Sequence, residues 1–201
     1  SGTPIRQELL SGSKSAALSF LDFSEEKPIV LIMGGSLGSV FINNAVREAL
    51  DTLLSSFQII HLCGNGNLDP ALENKAGYRQ FEYISDELSD LFAAADLVVS
   101  RAGANAISEL LVLRKPNILI PLSKNASRGD QILNANSFAK QGFSVCIEEE
   151  DVSSDSLPSA IFDVYERRDE YKKAMEQSPM ADSIGIITNL LKELAGFSQS
   201  S

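Results

Sequence analysis

The chain has 201 residues, 44% hydrophobic and 22% charged, with a formal net charge of −10. That length and composition suit an ordinary domain or one large lobe of something bigger, and only residues 197–201 read as frayed. The acidic balance argues against nucleic-acid binding, which needs clustered Lys and Arg, and against attachment to anionic lipid through this surface alone.

No apolar run is long enough to span a membrane and none reads as a signal peptide. The chain opens with Ser1-Gly2 and not with Met, as if it begins inside a longer protein. Cys63 and Cys146 each close an apolar, strand-like run and are expected to be reduced, buried thiols. Neither a CxxC pair nor a Cys/His cluster indicates zinc.

In chain order, residues 3–10 start at Pro4 and form a charged, amphipathic turn, 11–15 are a polar linker, and 16–23 form a short apolar helix. Residues 29–33, Ile-Val-Leu-Ile-Met, have the continuous apolar character of a strand buried on both faces of a parallel sheet. Gly34-Gly35-Ser36-Leu37-Gly38 follows, then a predicted helix over 39–54 with Phe41, Ile42, Ala45, Val46, Ala49, Leu50 and Leu53 on one face. Strands are predicted at 57–63 and 79–84, with a short helix at 68–76 between them. The next helix, 87–94, has Ser85 or Asp86 as its expected N-cap. A buried strand, 97–99, enters a small-residue loop, Ser100-Arg101-Ala102-Gly103, and a helix runs from Ala104 to about Arg114. A strand at 116–121, a polar loop at 122–129, a helix at 130–141 closed by Gly142, and a strand at 143–147 complete the alternation. Three more helix candidates lie at 153–167, 169–177 and 182–195.

Six strands alternating with helices predict an α/β fold, a Rossmann-like, doubly wound parallel sheet ordered 3-2-1-4-5-6. The expected organisation is one domain over 1–201, with a core at about 28–150 and extra helices at about 153–195. Ligands of such sheets sit at the switch point beyond strands 1 and 4. Those are the strands that end at the two glycine loops, so both loops are expected to face one nucleotide site.

The first loop is neither GxGxxG nor a Walker loop, which sets aside NAD and ATP. Its glycines, Gly35 and Gly38 among them, let the backbone approach a pyrophosphate, and Ser36 adds a hydroxyl; the alternative is a plain strand-to-helix turn. Gly103, just before a helix that starts near Ala104, puts a helix N-terminus where an anion binds. Glu109, in the second helical turn, suits the two hydroxyls of a ribose, or is a solvated carboxylate. Arg101 suits a phosphate or an internal carboxylate. Asp130, Gln131 and Asn134 offer groups that read sugar hydroxyls, with an N-cap as the alternative for Asp130. His61, the sole histidine, reads as a satisfied core side chain and not a base. The run Glu148-Glu149-Glu150-Asp151 reads as a solvated loop. No acidic pair at a strand end suggests metal-dependent glycosyl transfer.

Three motifs together, GGSLG after strand 1, SRAGANAISEL after strand 4 and SRGDQILNA after strand 5, closely resemble the C-terminal half of the MurG family. These are the N-acetylglucosaminyltransferases that make lipid II in bacterial peptidoglycan synthesis. The opening GTPIRQE resembles the segment that leads into this half, and the resemblance covers residues 2–194. It implies a GT-B fold, in which this lobe binds UDP-GlcNAc and needs no cofactor. An N-terminal lobe absent from this chain would bind lipid I and the membrane and supply the base; this chain itself would not insert, and alone it would be inactive. The full-length protein would be cytoplasmic and peripheral on the inner face of the cell membrane. By the same resemblance, Ser36 contacts the diphosphate, Ala104, Asn105 and Ala106 lie beside the phosphates, and Glu109 takes the ribose. Tyr83 and Ile84 lie against the uracil, with the Ile84 backbone reading its edge and Leu88 nearby. Asp130 and Gln131 hold the GlcNAc hydroxyls with Asn134 in support. Asn105-Ala106 departs from the Leu-Thr or Thr-Val of many members. Three competing readings are a stand-alone donor-binding subunit that works with a separate membrane partner, a UDP-GlcNAc 2-epimerase lobe, and an interaction module without nucleotide.

Overall fold

Strand β1, Ile29–Met33, has four fully buried residues and a half-buried Met33, the signature of a central strand covered on both faces. The computed structural model describes residues 6–35, 37–123 and 129–178. Around β1 stand β2 (Gln58–Leu62), β3 (Tyr78–Phe81), β4 (Leu97–Ser100), β5 (Asn117–Leu119) and β6 (Ser144–Cys146). The six pair in the order β3-β2-β1-β4-β5-β6, and every pairing is parallel. The expected doubly wound topology is therefore the observed one. In register, Met33 faces Ser100, so the chains leaving β1 and β4 start side by side at the carboxyl edge.

The helices are α1 (Lys14–Leu21), α2 (Val40–Glu48), α3 (Leu50–Leu54), α4 (Leu88–Ala94), α5 (Ala104–Val112), α6 (Asp130–Lys140), α7 (Ser156–Glu166) and α8 (Arg168–Glu176). Ser13 caps α1 by accepting from the Ala16 amide, so the segment read as a polar linker already starts this helix. The helix expected over 39–54 breaks at Ala49 (φ −89°, ψ 2°); the turn lets both Leu50 and Leu53 reach the core. Over 68–76 only a 3-10 turn, Pro70–Leu72, forms, capped by Asp69. No residue from 65 to 77 is buried, so no apolar face stabilises a longer helix there. Neither Ser85 nor Asp86 caps α4: the cap position is Glu87, without a side-chain bond, and the Ser85 hydroxyl donates to Asp86 instead.

Helix α7 packs on β4 and β5 and fully buries Leu157, Ile161 and Val164. It is an integral part of the core rather than an addition to it. Cys63 is buried as expected, but Cys146 is only half-buried, since β6 is an edge strand. The helix predicted at 182–195 lies outside the described residues.

Candidate functional site

The turn between β1 and α2 rests on backbone contacts that only glycine permits. Gly35 and Gly38 have φ of +94° and +75°, and the Gly38 amide closes the turn on the Gly35 carbonyl at 3.0 Å. A Cβ on Gly38 would lie 2.1 Å from the Cys63 carbonyl oxygen, and one on Gly64 would lie 2.2 Å from the Gly38 nitrogen. Gly38 is thus required by close packing against the end of β2. Ser36 lies outside the described residues.

A buried polar network fixes that packing. Asn43 of α2 donates its amide to the Cys63 carbonyl at 2.9 Å, which leaves its Oδ1 as an acceptor. His61 Nε2 therefore carries the proton and donates to Asn43 Oδ1 at 2.9 Å, and Nδ1 accepts from the Tyr78 hydroxyl at 2.9 Å. Burial, reinforced by the Arg47 guanidinium, pushes the His61 imidazole down to about 3. Burial likewise pushes the Tyr78 phenol up to about 12. His61 is the satisfied core residue that its strand position suggested.

The second loop is arranged differently. Gly103 is the N-cap of α5; among the described residues no side chain caps the helix, and a Cβ on Gly103 would meet nothing within 4 Å. Ala104 and Asn105 are exposed and Ala106 is half-buried, so the helix N-terminus faces open space. Uncapped N–H groups and the positive dipole end make that an anion-binding surface.

One turn on, Glu109 is 5% exposed, which rules out the solvated reading. Its carboxylate accepts both Arg6 Nε and Nη2, at 2.8 and 2.9 Å. This bidentate bond, with Tyr83 among the neighbouring groups, raises the Arg6 guanidinium above its ordinary value. Arg6 and Glu109 are therefore paired, with Tyr83 in their neighbourhood. The sequence assigned Arg6 no role of its own: it stood only within GTPIRQE, the segment that resembles the lead into this half. Tyr83 is 70% exposed, whereas Ile84 and Leu88 are buried.

Arg101 takes the internal-carboxylate alternative. It is buried, bonds the Glu149 carboxylate through Nη2, and donates Nη1 to the Ile120 and Pro121 carbonyls at 3.2 and 3.4 Å. The acidic run 148–151 is solvated at Glu148, Glu150 and Asp151, but the 3-10 turn Glu149–Asp151 points Glu149 inward.

On α6, Gly129 at φ +87° occupies the cap position and Asp130 is the first helical residue, exposed, so it is no N-cap. Gln131 accepts from the Leu122 amide at 3.1 Å, and Asn134 donates to the Ala102 carbonyl at 3.0 Å. These bonds tether α6 to the ends of β5 and β4. The elements leaving the carboxyl edge also carry exposed apolar residues, Leu37, Val40, Phe41 and Leu133.

The profile described as the glycosyltransferase family 28 C-terminal domain matches residues 29–187. The chain belongs to this family. The family 28 domain is 55% identical over 192 residues to the UDP-N-acetylglucosamine–N-acetylmuramyl-(pentapeptide) pyrophosphoryl-undecaprenol N-acetylglucosamine transferase of Lachnospira eligens. It is 54% identical over 194 residues to the enzyme of that name from Clostridium perfringens. Each match covers 96% of the chain but 54% of the relative, so the family 28 domain spans about half the length of these curated relatives. Among solved structures, MurG of Acinetobacter baumannii superposes with a TM-score of 0.67 at 21% identity, over 94% of this chain and 56% of that one. The glycosyltransferase VinC, solved in complex with dTDP, gives 0.58 at 15% identity, over 94% and 44%. The fold of the family 28 domain is that of the C-terminal lobe of a GT-B glycosyltransferase.

Proposed function

We propose that this family 28 domain binds UDP-N-acetylglucosamine as the donor half of an inverting N-acetylglucosaminyltransferase that converts lipid I to lipid II. The observation that carries the reading is the uncapped N-terminus of α5, open beside the β1–α2 turn, with the buried carboxylate of Glu109 one turn away. The names of the relatives supply the substrate class.

In this reading the amides of residues 104–106 and the turn at Gly35 hold the diphosphate, with Ser36 adding its hydroxyl. Glu109 binds the ribose. A carboxylate has about four acceptor positions, and Arg6 uses two, so two remain for the 2′- and 3′-hydroxyls. Arg6 holds the carboxylate in one orientation. Tyr83 covers the uracil, the Ile84 backbone reads its edge, and Leu88 supports them from below. Asp130 meets the GlcNAc hydroxyls with Gln131 and Asn134 behind it.

The reaction joins the 4-hydroxyl of the muramyl sugar to C1 of GlcNAc; the bond from C1 to the diphosphate oxygen breaks, the configuration inverts, and UDP leaves. This lobe would stabilise the departing diphosphate with preorganised donors. The base and the acceptor site belong to the other half, so the chain alone is proposed to bind donor without turnover. An acidic protein binds a dianion here because the field at the helix end is local.

Calorimetric titration with UDP-GlcNAc, UDP and GDP tests the reading. Expected are binding of the two uridine nucleotides, none of GDP, and loss of roughly 10-fold or more in affinity for Glu109→Ala, from a missing charged hydrogen-bond acceptor. Equal binding of GDP and UDP, or an unaffected Glu109→Ala, would contradict it.

A further inference from the structure

The buried pair Arg101–Glu149 stands between the two glycine loops and makes none of the donor contacts just described. We propose that these two are positioning residues, a clamp that fixes the β1–α2 loop against the β4–α5 loop and so sets the diphosphate donors in place. The inference rests on the donor-binding reading and assigns a part to an acidic residue outside it.

The connections converge on one carboxylate. Glu149 Oε1 receives Arg101 Nη2 and also the hydroxyl of Ser39, at 3.4 Å for the latter. Ser39 is the N-cap of α2, accepting from the Ile42 amide, so Glu149 grips the start of the helix that follows the first loop. Arg101 lies in the second loop itself, its Cγ 3.8 Å from where a Gly35 Cβ would be. Its other amino group bonds the Ile120 and Pro121 carbonyls just beyond β5. Two side chains thereby tie together the carboxyl ends of β1, β4 and β5 and the turn after β6.

Stability alone does not account for the pair. Arg101 is 9% and Glu149 7% exposed, so both ions have lost most of their hydration. A buried ion pair commonly does no better for stability than an apolar pair of the same volume. Arg101 Nε is moreover buried without a hydrogen-bond partner among the described residues. What the pair does provide is direction: a planar fork and a carboxylate fix distances that apolar contacts leave free.

The test compares UDP with uridine, because uridine reaches the base and ribose groups without the diphosphate. Wild type and the charge-neutral double variant Arg101→Met/Glu149→Leu are titrated with each, and thermal melting is recorded. The clamp predicts that preference for UDP over uridine falls roughly 10- to 100-fold, as expected from donors displaced by about an ångström, with uridine affinity and melting temperature held. An unchanged preference overturns the clamp. Glu149→Gln, which keeps shape and one acceptor, carries the test if the double variant does not fold. The same selective loss supports the clamp, and a gain in UDP affinity overturns it by making Arg101 a direct phosphate ligand restrained by Glu149. A wild type that fails to prefer UDP would instead sink the donor-binding reading, and the clamp with it.

Discussion

His61 shows how a single side chain can matter to the site without touching it. It is fully buried, neutral, and bonded on both ring nitrogens, and it orients Asn43, which holds the Cys63 carbonyl under Gly38. Its pKa is lowered to about 3 in the fold, against 6.5 for the free side chain. Below pH 6.5 the unfolded chain takes up a proton that the folded chain refuses, so stability falls as pH drops from about 6.5 towards 3. Above that window His61 adds no pH dependence. The expected slope from this residue is ~1.4 kcal/mol per pH unit. Urea denaturation across that range should show a slope steeper by about that much in wild type than in His61→Gln; equal slopes would mean that His61 is protonated in the fold. The burial of His61 was legible because it sits in an apolar strand. The pairing of Glu109 with Arg6, 103 residues away, and of Arg101 with Glu149, 48 away, was not. Contacts between distant elements leave no local pattern, and an acidic run looks solvated until the sheet shows which member turns inward.

At the scale of elements, the two glycine loops are built for opposite purposes. Gly38 is there because backbone passes within contact distance; Gly103 is there in front of open space, at an ordinary φ of −66°. Gly38→Ala should destabilise by at least ~1–2 kcal/mol, from the left-handed backbone alone, and by more from the collision with Cys63. Gly103→Ser should leave stability level or raise it by a few tenths of a kcal/mol, because serine caps α5, while weakening UDP by occupying a helix-end amide. Denaturation midpoints and UDP titration of the two variants check this pair; a Gly103→Ser protein that binds UDP unchanged would show that the α5 amides are not the phosphate donors. The strands and their order were legible because apolar runs and glycine turns are strong local signals. The helix expected at 68–76 shrinks to one 3-10 turn and the one at 39–54 breaks in two, since periodicity and propensity do not reveal whether a face will find something to pack against.

For the whole molecule, the sheet does the organising. Parallel strands leave from one edge, the order reverses between β1 and β4, and the two loops at that reversal are brought together without any direct sequence relation between them. No helix among the described residues is long and apolar enough to cross a membrane. Among the described residues, the anion-facing feature at the carboxyl edge is the open end of α5. The central claim, that both loops face one diphosphate, is tested most directly by following backbone amide resonances while UDP is added. The account predicts the largest shifts together at Gly35 and at Gly103, Ala104, Asn105 and Ala106, saturating with a single affinity. Shifts confined to one loop, or centred on the opposite edge of the sheet, would contradict it.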